Sequence, residues 1–495
     1  MALINIKNLT FAYDGSYNYI FDDVSFQLDT DWKLGFIGRN GRGKTTFLNI
    51  LLGKFSYRGS ITSPVEFEYF PYEVADRSRL TYDAVTDICP ELELWELERE
   101  LSLLEADTDV LWRPFDTLSY GEQTKVLLAA MFLKHNRFLL IDEPTNHLDI
   151  RGRELVSRYL NSKKGFILVS HDRAFLDGCI DHVLSINKAD IEVQRGNFSS
   201  WYENKERRDR FELAENDRLK KEIKRLTQTA REKAEWADVS ERRKVGIDPH
   251  EVDSKKGFRP LMAAKSKKMM SRAKAIETRQ QAAIEEKSKL LKNIEESDDL
   301  KLIQSDYHSR RMVTLRGVSV AYGTNTVCSD VSFTVDKGDR IVLSGRNGSG
   351  KSSILRLING EDIPHTGIVE VGSRLKISYA AQDASPLTGS LSDYAARYGI
   401  DQSRFMTILR KLDFSRSQFD LNMREFSGGQ KKKVVLARTL CEDASLHIWD
   451  EPMNYIDVIS RMQIEELLLS SDVTLLFVEH DRVFCERIAN KTVEL

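Results

Sequence analysis

The sequence predicts an α/β chain in which two P-loop nucleotide-binding domains are joined by an antiparallel α-helical hairpin. Three observations predict it: two phosphate-loop motifs, each behind a strand-like run; further motifs repeated at one offset; and a charged, helix-periodic stretch between the copies. At 495 residues the chain is too long for one core, so two or three domains are expected. No apolar run approaches the roughly 20 residues that span a bilayer, and the longest, 126–133, reads as buried helix. Residues 1–7 lack the basic flank and long apolar stretch of a signal peptide, so a cytoplasmic location is expected. The cysteines Cys89, Cys179, Cys328, Cys441 and Cys485 show no CxxC or zinc spacing and read as reduced thiols.

The first loop is Gly38-Arg39-Asn40-Gly41-Arg42-Gly43-Lys44-Thr45 and the second Gly345-Arg346-Asn347-Gly348-Ser349-Gly350-Lys351-Ser352. Glycines at these places let backbone N–H groups turn onto phosphates at a helix N-terminus. Lys44 and Lys351 are the candidates for the β- and γ-phosphates, Thr45 and Ser352 for Mg²⁺, and Thr46 and Ser353 extend the ATP-contact set. The two lysines stand 307 residues apart, and Tyr13/Tyr322, Ser119/Ser427, Asp142/Asp450 and His171/His480 recur at 308 or 309. So constant an offset across unrelated residue types means a duplicated domain, expected at 1–203 and 311–495.

In each copy an apolar run ends in two carboxylates, Asp142-Glu143 and Asp450-Glu451. Carboxylates at the end of a buried strand are costly unless a cation compensates, which makes Asp142 and Asp450 the candidate metal residues. Glu143 and Glu451 are then the candidates to polarise the water that attacks the γ-phosphate.

Between each loop and its acidic strand stand Leu118-Ser119-Tyr120-Gly121-Glu122-Gln123 and Phe426-Ser427-Gly428-Gly429-Gln430. These resemble the signature of ABC ATPases. Asn146-His147-Leu148-Asp149 resembles their D-loop, His171 and His480 their switch histidines, and Tyr13 and Tyr322 the aromatic residues that stack on adenine. The order excludes RecA-like and GTPase P-loop proteins, which have no signature there. The resemblance implies an ATPase working as a head-to-tail sandwich within one monomer, with one ATP between Lys44 and the Ser427 signature. The other ATP would lie between Lys351 and the Ser119 signature. The halves differ at the Q-loop: Gln382 is a further metal candidate, whereas the first half has Tyr72 at that place, which predicts slower hydrolysis at the Lys44 site.

From about 204 to 310 the α/β pattern stops. Phe211, Ala214, Leu219, Ile223, Leu226, Ala230 and Ala234 fall at helical spacing, as do Met269, Ala273, Ile276, Ala283, Leu290 and Ile294. The breakers Gly246, Pro249, Gly257 and Pro260 place a hairpin tip at about 237–261. Its basic residues (Arg242, Arg243, Lys244, Lys255, Lys256, Arg259, Lys265, Lys267, Lys268 and Arg272) form a dense run in a chain of net charge −3. Such a run is either a solvated helix surface or the electrostatic footprint of a nucleic-acid binder.

Tandem ABC domains, no spanning segment and a basic helical linker together resemble the ABC-F proteins. The short stretch between Tyr72 and the first signature, with Phe211-Glu212-Leu213-Ala214-Glu215-Asn216 in the linker, resembles their Lsa-type antibiotic-resistance members. The resemblance implies a bacterial ribosome partner, bound on the E-site side of the large-subunit rRNA beside the P-site tRNA. It implies no membrane subunit, and protection against lincosamides, pleuromutilins and streptogramin A. On this reading the ten basic residues contact rRNA or tRNA, and Val245, Ile247 and Phe258 lie nearest the drug pocket. The rivals are an ABC-F translation factor for stalled ribosomes and the ATPase subunit of a transporter.

Overall fold

A computed structural model describes residues 2–13, 19–146, 148–187, 190–245, 305, 307–323, 325–412, 414–454 and 456–495, with side chains described to 225 and at 228 within the linker helix. In chain order the first half has strands β1 (Leu3–Phe11), β2 (Phe21–Asp29) and β3 (Lys33–Ile37), then helix α1 (Lys44–Leu51) and strands β4 (Arg58–Thr62) and β5 (Glu66–Phe70). Helices α2 (Thr81–Ile88), α3 (Leu94–Leu103) and α4 (Tyr120–Leu133) follow. Next come β6 (Arg137–Asp142), α5 (Ile150–Asn161), β7 (Phe166–Val169), α6 (Arg173–Cys179), β8 (His182–Asn187) and β9 (Asp190–Arg195).

The order β5-β6-β7-β3-β8-β9 forms one sheet, parallel except at its last strand, and β2-β1-β4 forms a smaller antiparallel one. Phe138, Leu139, Leu140 and Ile141 of β6 and all of β7 are buried, as strands covered on both faces require. Because β3, β6 and β7 run parallel, the phosphate loop, the Asp142-Glu143 pair and the His171 loop all leave the same edge, the usual ligand edge of an open α/β sheet.

The second half repeats the plan. It has β10 (Arg311–Tyr322), β11 (Asn325–Asp336), β12 (Arg340–Ser344), β13 (His365–Val371), β14 (Ile377–Ala380), β15 (Leu446–Asp450), β16 (Leu475–Val478) and β17 (Lys491–Glu494), in sheets β14-β15-β16-β12-β17 and β11-β10-β13. The linker helix α7 (Phe198–Val245) follows the first half in the sequence. After it come α8 (Lys351–Ile358), α9 (Leu391–Arg397), α10 (Gln402–Lys411), α11 (Gly428–Cys441), α12 (Val458–Leu469) and α13 (Arg482–Ile488).

Met1–Trp201 and Asp298–Leu495 form one compact unit holding both halves, and Tyr202–Ser297 form another. Two buried or bridging ion pairs tie the halves: Arg173 of α6 grips Glu465 of α12 with both nitrogens, and Arg482 of α13 meets Glu154 of α5 at 2.9 Å. Helix α7 corrects one expectation. The tip does not open as a loop at 237, because the helix runs on to Val245 through a stretch without glycine or proline, and the first breaker is Gly246. The expected second linker helix lies outside the described residues. Among the described residues, no helix is long and apolar enough to cross a membrane.

Candidate functional site

Gly43 and Gly350 stand before α1 and α8 at φ 97° and 88°. Only glycine adopts that backbone freely, and a Cβ on Gly43 would collide with Ile20. The turn brings each lysine back over its own loop: Lys44 Nζ donates to the carbonyls of Gly38 (2.6 Å) and Arg39 (3.2 Å), and Lys351 Nζ to those of Gly345 (2.9 Å) and Arg346 (2.8 Å). Tyr13 and Tyr322 stand half-exposed at the loop edge, their hydroxyls bonded to Thr46 (2.8 Å) and Ser353 (3.1 Å). Each ring is thus held at the loop edge by its hydroxyl.

Glu143 and Glu451 take φ 50° and 48°, a left-handed conformation costly for a residue with a side chain and one that gathers at functional sites. Around them the halves diverge. Glu451 accepts from Gln382 Nε2 (3.0 Å) and Asn454 Nδ2 (2.7 Å), and His480 Nε2 lies 3.2 Å from its other oxygen. Burial pushes its carboxyl up, but these hydrogen bonds and His480 outweigh that and hold it at about 2.

Among the described residues Glu143 Oε1 has no hydrogen-bond partner, and His171 Nε2 lies 3.4 Å from it. Burial, reinforced by Asp142, raises its carboxyl to about 8, against Arg461, Lys44 and Arg153. His171 is driven well below the ordinary imidazole value, first by burial and then by Lys44. Tyr72, at the place of Gln382, packs its ring under Lys134, 4.9 Å from Nζ.

The metal candidates also differ. In the second half Ser352 Oγ donates to Asp450 Oδ1 at 3.0 Å, while Asp450 Oδ2 is buried without a partner. An orphaned carboxylate oxygen beside a hydroxyl is a donor set that suits Mg²⁺. In the first half Thr45 is exposed, and Asp142 Oδ2 accepts from Tyr69 OH at 3.1 Å. The matching Tyr379 is engaged by Arg356 instead. Sequence reading missed Tyr69 and Asn454, because nothing in their spacing says which way a side chain turns.

The second site is built from both halves. A cavity of about 900 Å³ is lined by Ser119, Gly121 and Glu122 on one side and by Asn347, Gly348, Gly350, Lys351, Ser352, Ser353, Gln382, Glu451 and His480 on the other. At the first site the second half contributes Asp457 and Lys433, both of which act electrostatically on Lys44. Their ion pair is buried at 3.2 Å.

Each signature opens a helix. Ser119 Oγ accepts from Glu122 N (3.3 Å) while Glu122 Oε2 accepts from Ser119 N (2.7 Å), and Ser427 and Gln430 repeat this reciprocal cap at 3.3 and 2.8 Å. Gly121, Gly428 and Gly429 fall in those first turns, where the positive end of the helix dipole lies.

Arg242, Arg243, Lys244 and Val245 sit at the end of α7, with side chains outside the described set. Ile247, Lys255, Lys256, Phe258, Arg259, Lys265, Lys267, Lys268 and Arg272 lie outside the described residues.

The family profile described as ABC transporter matches residues 21–146 and again 328–454. The chain is similar to the ribosome protection protein VmlR of Bacillus subtilis (strain 168), at 27% identity over 500 residues, 99% of this chain and 86% of that protein. It is equally similar to the ATP-binding protein Uup of Caulobacter vibrioides (27%; 96% and 74% of the two chains). The probable ATP-binding protein YheS of Escherichia coli (strain K12) is 26% identical (94% and 74%). Among solved structures, the complex of archaeal ribosomal stalk protein aP1 with the archaeal ribosome recycling factor aABCE1 matches at TM-score 0.62 and 19% identity, over 98% of this chain and 87% of that one. That last likeness shows a shared fold.

Proposed function

The chain belongs to the ABC transporter family and carries its ATP-hydrolysing domain twice, and from that premise we propose that it is a cytoplasmic ribosomal protection ATPase of the ABC-F type. The observation that carries this reading is similarity to VmlR, a ribosome protection protein, along 99% of the chain, with the linker between the two domains included. On this reading the partners are large-subunit rRNA on the E-site side and the P-site tRNA. The basic linker residues neutralise phosphates, and the linker tip beyond Val245 promotes release of lincosamides, pleuromutilins and streptogramin A.

Hydrolysis follows from the second site's geometry. Tyr322 stacks the adenine, while Lys351 and the loop amides hold the phosphates. The α4 N-terminus, presented by Ser119, Gly121 and Glu122, meets the γ-phosphate from the opposite half, so ATP itself closes the sandwich. Glu451, kept ionised by its hydrogen bonds, accepts the proton of the attacking water as the bond to ADP breaks, and His480 holds the carboxylate in place. Mg²⁺, held by Ser352, Asp450 and the Gln382 amide oxygen, would neutralise the phosphate charge that develops. At the first site Tyr13, Lys44, Thr45, Asp142, Glu143, His171, Ser427, Gly428, Gly429 and Gln430 take the matching roles, with Glu143 far less ready to accept a proton.

The test is cell-free bacterial translation blocked by lincomycin or tiamulin, with the purified protein and ATP added. Recovery of synthesis, lost when 239–258 are deleted although the protein still sediments with ribosomes, supports the reading. Synthesis that stays blocked while the full chain sediments with ribosomes refutes drug protection and gives the translation-factor reading the lead. Failure to sediment with ribosomes at all refutes both.

A further inference from the structure

The loop after each catalytic glutamate must be tied to the strand that carries the switch histidine, and the two halves tie it by different chemistry. In the first half two buried hydroxyls meet: Thr145 Oγ1 lies 3.3 Å from Ser170 Oγ, which also accepts from Asp172 N at 3.2 Å. In the second half Met453 and Glu479 stand at these places. Methionine has no hydroxyl, and a buried carboxylate takes over. Glu479 Oε1 accepts from Met453 N at 2.8 Å and Oε2 from His480 N at 3.3 Å.

Each of those N–H groups sits beside a side chain that holds Glu451. Met453 precedes Asn454, whose amide donates to Glu451 Oε2 at 2.7 Å. His480 presents its ring to Glu451 Oε1 at 3.2 Å. Counter-charge converges on the clamp: Lys432 of α11 is buried, donates to the Glu451 carbonyl at 3.3 Å and faces Glu479, whereas the first half has Thr124 at that place. Arg461 donates to the Met453 carbonyl at 2.9 Å, so the turn is held at both its N–H and its C=O.

We propose that Glu479 is a positioning residue for hydrolysis at the second site, a carboxylate clamp that aims Asn454 and His480 at Glu451. A clamp made by one side chain fixes two of the three partners of Glu451 together, whereas in the first half Glu143 Oε1 has no hydrogen-bond partner among the described residues. The clamp therefore marks the half built for turnover. This inference rests on Glu451 being the hydrolytic carboxylate proposed above.

The test is steady-state ATP turnover of the full chain, read as kcat and KM together with the melting temperature. Glu479→Ala is expected to lower kcat about tenfold, with KM within about twofold and melting little changed, as for misplaced rather than lost catalytic groups. Adding Met453→Thr to Glu479→Ser rebuilds the hydroxyl pair of the first half, and this double exchange is expected to turn over several-fold faster than Glu479→Ser alone. Wild-type turnover in Glu479→Ala overturns the proposal, as does a loss that appears wholly in KM. If Glu479→Ala does not fold, equal rates in Glu479→Ser and the double exchange overturn it. Glu451→Gln is the control: unchanged turnover there refutes the reading of the site itself, whereas a loss there beside an inert Glu479 exchange refutes only the clamp.

Discussion

Glu143 and Glu451 occupy the same place in two copies of one fold, with the same strained backbone, and their neighbours give them opposite proton affinities. Three hydrogen-bonding neighbours hold Glu451 ionised at about 2, while burial holds Glu143 at about 8. At neutral pH Glu451 is thus ionised and Glu143 largely protonated, which on the proposed reading leaves only the second site with a free carboxylate. Glu451→Gln is therefore expected to reduce steady-state ATP turnover at least tenfold and Glu143→Gln by much less; equal losses would remove the asymmetry.

His447 of β15 gives a second prediction at this scale. It is 1% exposed, and neither ring nitrogen has a hydrogen-bond partner among the described residues. Burial lowers its pKa to about 4, below the unfolded value of 6.5. Protons therefore bind the unfolded chain more readily, and the stabilisation from a neutral His447 is lost as pH falls from 6.5 towards 4. Relative to wild type, His447→Leu is expected to gain about 2 kcal/mol between pH 7.5 and pH 5, read from denaturant midpoints.

Among the elements, the arginine after each switch histidine reaches into the other half, but the two contacts differ in burial. Arg173 of α6 and Glu465 of α12 are 6% and 0% exposed, with Arg487 at 2.8 Å as a third member. Arg482 and Glu154 are 58% and 54% exposed. Removing one member of a buried pair strands the other charge, so Glu465→Ala is expected to cost about 3–5 kcal/mol. Glu154→Ala is expected to cost less than about 1 kcal/mol, since water already screens that pair. The first transition in urea unfolding compares them, and similar midpoints would show that burial does not separate the pairs. The linker helix shows how boundaries escape local signals: periodicity predicted α7, yet it runs past the expected 237 to Val245, and its start at Phe198 depends on Phe198 and Trp201 burying their rings. No local signal announces that packing.

For the whole molecule, on the proposed reading, occupancy of ATP is the switch and hydrolysis at the second site its timer. A chain carrying both Glu143→Gln and Glu451→Gln is expected to sediment with ribosomes in ATP and to leave them in ADP; sedimentation that ignores the nucleotide would refute this coupling. By itself the sequence determined the duplication, the two phosphate loops, the acidic strand ends and the order of the signature motifs. Those depend on local spacing and on glycine backbone geometry, which a chain carries within a few residues. The tertiary structure alone decided what each repeated residue faces. Tyr69 donates to Asp142 where Tyr379 meets Arg356, Asn454 and His480 gather at Glu451, and Glu479 accepts from Met453 N from a strand away. Burial, charge and hydrogen-bond direction at such places depend on partners far along the chain, and only folding brings those partners together.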